Sequence, residues 1–202
     1  MKFKVLWMAG LMLAATAGQS EGAFVTFTHT GTGAGSIAGN AFASSAFTIT
    51  GIADTSNRQS FIGGYWINHT SASINIIGQG VFTFTNSTRT FFNDSNDTVG
   101  FSRGSVSGTD LYNGPGTVLL NGWDMLSSIG PVNGNTRLLQ WFPGVDTSGG
   151  VLFFNNLDTT GTFEAVVGSA PVPEPASIAM WGLGAIGLVF ARRKRQQKKL
   201  AA

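Results

Sequence analysis

Ser73-Ile74-Asn75-Ile76-Ile77-Gly78-Gln79-Gly80-Val81-Phe82-Thr83-Phe84-Thr85 is the stretch that decides the fold. Successive side chains of an extended chain point to opposite faces. Ile74 and Ile76 therefore share one face, and Ser73 and Asn75 the other. Phe82-Thr83-Phe84-Thr85 repeats the alternation, and Gly78-Gln79-Gly80 between the two runs is a turn signal. The whole reads as a β-hairpin.

The same period continues outward. In Phe24-Val25-Thr26-Phe27-Thr28, Val25 and Phe27 fall together on one face, and Phe47-Thr48-Ile49-Thr50 alternates likewise. Further strands are expected at 65–68, 90–93, 99–103, 117–120, 138–142, 151–154 and 162–167. Asn113-Gly114-Pro115-Gly116, Asn121-Gly122, Asn133-Gly134 and Ser148-Gly149-Gly150 read as turns between them. Residues 31–39, rich in glycine and other small residues, read as a loop or lead-in. Residues 124–129 read as a short helix or a connection. No sustained period of 3.6 interrupts the pattern. The expected class is all-β, an antiparallel β-sandwich or jelly-roll-like domain.

Both ends depart from this pattern. Lys2 and Lys4 precede an apolar stretch from Val5 to Ala15, and Ala15-Thr16-Ala17 offers a small-x-small cleavage site. That is a signal-peptide pattern over 1–17, with cleavage after Ala17 and Ala23 as a second candidate. At the other end stand Val172-Pro173-Glu174-Pro175-Ala176, an apolar run to Ala191, and Arg192-Arg193-Lys194-Arg195. As a helix the run would be roughly 24 Å long, against a hydrocarbon core of about 30 Å, so it reads as a short membrane span. The basic cluster stays cytoplasmic by the positive-inside rule. Pro173 and Pro175 favour an extended, accessible segment on the opposite side. The expected order is thus a signal-peptide helix (1–17), an exported β-rich domain (18–171) and a C-terminal tag with one hydrophobic helix (172–199).

The three-part tail resembles the PEP-CTERM sorting domain. The resemblance covers about 30 of the 202 residues. It implies recognition by the membrane enzyme exosortase at Pro173-Glu174-Pro175, transient residence in the inner membrane, and removal of the tag. It also implies a Gram-negative source that makes exopolysaccharide or biofilm, and a mature form at the cell surface or outside the cell.

Charge supports a division between tags and domain. The chain is formally +2 with a pI near 9.2. Eight of its twelve basic residues lie in the two tags, however. Between Gly18 and Val172 only Arg58, Arg89, Arg103 and Arg137 face nine carboxylates, a net of −5. No basic footprint for nucleic acid exists there. With no cysteine in the chain, disulfides and thiolate chemistry are excluded, so packing of its 16 phenylalanines must build the core.

Catalytic signatures are sparse. His29 and His69 lack partner motifs and read as surface or strand-end residues. A glycosidase would need a carboxylate pair, for which Asp110, Asp124, Asp146 and Asp158 are the candidates. All four lie in turn-like sequence where aspartate serves the backbone. Residues 93–98, Asn-Asp-Ser-Asn-Asp-Thr, are rich in oxygen but lack the EF-hand glycine and terminal glutamate. No cofactor, metal site or catalytic residue is assigned. Trp66, Trp123 and Trp141 are the candidate sugar-stacking rings, although neighbouring side chains on a strand face opposite ways and only one of Trp141 and Phe142 can point outward. The expected function is a non-enzymatic secreted or surface protein associated with exopolysaccharide. The alternative is a secreted carbohydrate-active enzyme using an aspartate pair.

Overall fold

A computed structural model of the chain describes residues 23–104 and 109–168. Thirteen strands follow one another: β1 (Phe24–Ile37), β2 (Asn40–Asp54), β3 (Gln59–Phe61), β4 (Gly64–Asn68), β5 (Ser71–Ile76), β6 (Gly80–Thr83), β7 (Thr88–Asn93), β8 (Thr98–Arg103), β9 (Asp110–Gly116), β10 (Ile129–Leu138), β11 (Val145–Thr147), β12 (Gly150–Phe154) and β13 (Leu157–Gly168). Every pairing is antiparallel, and no α-helix occurs among the described residues. The class is all-β, as the period-2 pattern requires. The expected terminal helices fall outside the described residues.

One continuous ladder runs in the order β3-β4-β7-β8-β9-β10-β13-β1-β2-β5-β6, with β12 joining β1 and β11 joining β12. The sandwich is therefore a single sheet curled over on itself. The 73–85 hairpin forms as expected, Ile74 opposite Phe82 and Ile76 opposite Gly80. β1 occupies the middle of the ladder. Its first six residues pair with β2 on one side and β13 on the other, placing Phe24 opposite both Asp54 and Gly168.

Four expectations are corrected. Residues 31–39 are largely strand: β1 runs on to Ile37. Its glycines serve close approach, since a Cβ on Gly35 would lie 1.9 Å from the Phe153 carbonyl oxygen. Asn113-Gly114-Pro115-Gly116 and Asn133-Gly134 lie inside β9 and β10. Residues 118–120 form a 3-10 turn capped by Thr117. Beyond Leu138 the 138–142 segment leaves the ladder. Residues 124–128 are a connection leading into β10 at Ile129, opened by Asp124 accepting the Leu126 N–H at 2.9 Å.

Two apolar clusters fill the curl. One gathers Phe47, Ile49, Ile74, Tyr112, Trp141 and Phe154. The other gathers Phe27, Ile67, Phe92, Trp123, Met125 and Phe163. Burying each such side chain contributes about 1.5–3 kcal/mol. Phe27 and Trp123 meet edge to face at 6.4 Å, as do Trp141 and Phe154 at 4.8 Å. Such contacts tie the connections before and after β10 to β1 and β12.

Candidate functional site

Alternation along β4 and β7 sends part of each strand outward. Trp66 lies opposite Phe91, and Phe91 opposite Gly100. Gly100 has no Cβ, and one built there would sit 2.3 Å from the Phe91 ring. The ring lies over that glycine. Phe61 from β3, Asn93 and Arg89 from β7, and Asp110 from β9 complete a depression of about 320 Å³ around Trp66 and Phe91.

The polar groups of this depression are held in place. The Arg89 guanidinium carbon lies 5.1 Å from the Trp66 ring centroid, a cation–π contact. Its Nε donates to Ser102 Oγ at 3.0 Å. Partial burial lowers the Arg89 pKa from its ordinary value, and the nearby Asp110 carboxylate opposes that shift. Asn113 Nδ2 donates to Asp110 Oδ2 at 3.3 Å, while Asn113 Oδ1 is buried without a partner. Flat rings, a fixed donor and a fixed acceptor thus converge. Such a set can stack a flat ring and hydrogen-bond its polar substituents.

Larger troughs exist, one of about 800 Å³ around Asn135 and Thr160 and another of about 730 Å³ beside it. Their threonines pair with one another, Thr30 with Thr162 and Thr32 with Thr159, each at 2.8 Å. The one aromatic in their lining, Phe47, is only 2 % exposed, and Arg137 is occupied by Asp158 at 3.1 Å. The smaller depression is the better-equipped one despite its size.

Of the three candidate tryptophans, only Trp66 reaches this surface. Trp141 is fully buried with its Nε1 donating to the Leu111 carbonyl at 2.7 Å. Trp123 is buried with its Nε1 donating to the Ser127 carbonyl at 2.9 Å. Neither ring faces a ligand, and a three-tryptophan platform does not assemble. Beside Trp141 the chain turns Phe142 outward instead, 80 % exposed.

The candidate aspartates are separately engaged. Asp110 belongs to the depression, Asp124 lies 3.7 Å from Arg58, Asp146 accepts from Asn86 at 3.0 Å, and Asp158 meets Arg137. The 93–98 segment forms a turn in which Asn93 Oδ1 accepts the Ser95 N–H at 3.0 Å.

His29 overturns its sequence reading, while His69 does stand at a strand end. His29 is fully buried where the two apolar clusters meet, 4.9 Å from the Phe163 ring and 6.0 Å from Tyr112. His69 keeps some residue surface at the end of β4, but its ring stacks on Phe101 at 5.5 Å. Thr90 Oγ1 joins the two, 3.4 Å from His29 Nε2 and 3.0 Å from His69 Nε2. His69 Nδ1 reaches Thr88 Oγ1 at 2.9 Å. A consistent proton assignment runs from His29 Nε2–H to Thr90, from the Thr90 hydroxyl to His69 Nε2, and from His69 Nδ1–H to Thr88. It leaves His29 Nδ1 as the buried atom without a partner. Burial holds both imidazoles neutral, each with its pKa lowered to about 3, and at His29 the neighbouring His69 adds to the effect.

The C-terminal segment is decided by comparison. Residues 171–195 match the PEP-CTERM protein-sorting motif. This chain carries a PEP-CTERM sorting motif. No curated protein and no solved structure matches the chain. The motif marks an exported protein that exosortase processes, destined for the cell envelope or surface. Pro173, Glu174, Pro175 and the basic group Arg192, Arg193, Lys194 and Arg195 all lie within the match, and outside the described residues.

Proposed function

We propose that this is a non-enzymatic, exosortase-processed surface or matrix protein whose β-domain binds glycan through the Trp66 depression. The apolar run 176–191 holds the precursor in the inner membrane until processing releases the mature form to the cell surface or medium. The observation that carries the glycan reading is the convergence of Trp66, Phe91, Arg89 and Asp110 on one small depression. Aromatic faces bind sugar C–H surfaces, and a neighbouring donor and acceptor select hydroxyl positions. Each aromatic contact contributes roughly 0.5–1.5 kcal/mol, so single sites are weak and repeated engagement of a polymer supplies avidity. The distribution of the aspartates over separate partners favours recognition over hydrolysis.

The test is co-sedimentation of the processed protein with host exopolysaccharide, comparing wild type with Trp66→Ala and Arg89→Gln. Binding that is lost in Trp66→Ala while Trp123 and Trp141 remain in place supports the assignment. Undiminished binding in Trp66→Ala moves the site elsewhere. Release of reducing sugar, abolished by a single Asp→Asn change, would replace recognition with catalysis.

A further inference from the structure

Three loops lie side by side at the end of the domain where β13 finishes. Asp94 N donates to the Gly63 carbonyl at 2.7 Å, and Thr117 N donates to the Asp97 carbonyl at 3.0 Å. The β3–β4 turn, the β7–β8 turn and the 118–120 turn are thereby joined. Ile62 at the first tip is fully exposed, and Val118 on the third is 80 % exposed with Leu119 beside it. Leu120, the next residue, is fully buried, and Thr117 caps the turn. The turn is thus pinned from below while its two leading side chains project.

Exposure alone does not choose this end, because Phe142 at the opposite end is equally exposed. Chain connectivity does. β13 ends at Gly168, opposite Phe24, and Val167 N donates to Ser128 Oγ of the β9–β10 connection at 2.8 Å. Only residues 169–175 separate Gly168 from the apolar run that starts at Ala176. Seven residues reach at most about 25 Å when fully extended. Among the described residues, the charges at this end are Asp54, Asp94, Asp97 and Asp124 against Arg58. They offer nothing to anionic lipid, so contact must come from aliphatic insertion.

We infer that the Ile62, Val118 and Leu119 loops form a membrane-resting surface that dips into a zwitterionic phospholipid bilayer while the precursor is anchored. This rests on the reading that residues 176–191 insert. The chain has no cysteine. Full-length single-cysteine variants Ile62→Cys, Val118→Cys, Phe142→Cys and Leu183→Cys therefore each carry one fluorophore at a known position. Each is reconstituted into phosphatidylcholine vesicles with and without nitroxide-bearing acyl chains. Labels at 62 and 118 are expected to be quenched at least about threefold more than the label at 142, and the label at 183 to be quenched strongly. Quenching at 62 and 118 no greater than at 142, with 183 quenched, overturns the resting surface alone. An unquenched 183 overturns the anchoring reading and this inference with it. Adding phosphatidylglycerol should weaken quenching at 62 and 118; stronger quenching would mean charge attraction and would overturn aliphatic insertion.

Discussion

Trp66 and Trp141 come from the same composition and the same all-β context, yet they do opposite things. Trp141 is enclosed, edge to face with Phe154, its N–H spent on a backbone carbonyl. Trp66 stands on the outer face beneath an arginine, in one depression with an aspartate. The interior aromatics, including the two imidazoles, are matched to one another and resist change. The exterior ones keep polar capacity for something else. A ring's neighbours, more than its identity, separate the structural from the functional reading.

Acid should break the interior first and most completely. Both imidazoles have folded pKa values near 3, below the unfolded value of 6.5. Between those limits the unfolded chain binds more protons, so their stabilisation is complete above pH 6.5 and drains away as pH falls toward 3. The slope approaches about 1.4 kcal/mol per pH unit for each histidine. Urea unfolding from pH 7 to pH 4 should show it. His29→Leu should flatten part of that slope, since Thr90 keeps its bond to His69. An unchanged slope would remove His29 from the account.

Trp141→Ala should cost about 3–5 kcal/mol, measured as a drop in urea midpoint at constant m-value. A loss below 1 kcal/mol would mean that the interior is loosely packed there. Tyr112→Phe should cost less, about 1–2 kcal/mol, because its buried hydroxyl donates to the Thr30 carbonyl across the curl. The double variant with Trp141→Ala tests whether the two share a cooperative unit, as their common cluster implies.

Trp66→Ala sharpens the comparison from the other side. It should change stability by about 0.5 kcal/mol or less, as surface substitutions do, while removing glycan binding. Thermal melts and co-sedimentation on the same preparation decide this. A large loss of stability would make Trp66 another packing residue and end its separation from Trp141.

The alternation in the sequence carried the fold. The 73–85 hairpin, the inward pair Val25 and Phe27, and most strand positions were legible because period 2 reports directly on which face is buried. His29 continues that inward series two residues beyond Phe27, so its burial was available from the same pattern. Residues 31–37 were opaque because glycine marks both turns and close strand contacts. Of the candidate site, Trp66 was legible but its companions were not. Phe61, Phe91, Arg89 and Asp110 come from β3, β7 and β9, and only the strand order β3-β4-β7-β8-β9 brings them together. Trp123 and Trp141 misled because a ring next to amide-rich sequence looks the same whether it turns in or out.

The pairing of β1 with β13 also sets a clock. In an exported chain β1 emerges first and β13 last. Until residue 168 has emerged, the segment from Phe24 to His29 lacks one of its two neighbours, and the middle of the ladder stays an open edge. Closure has to wait for the whole length of the domain, whose last strand ends three residues before the sorting motif begins. The last strand to close the fold is therefore also the one next to the motif along the chain.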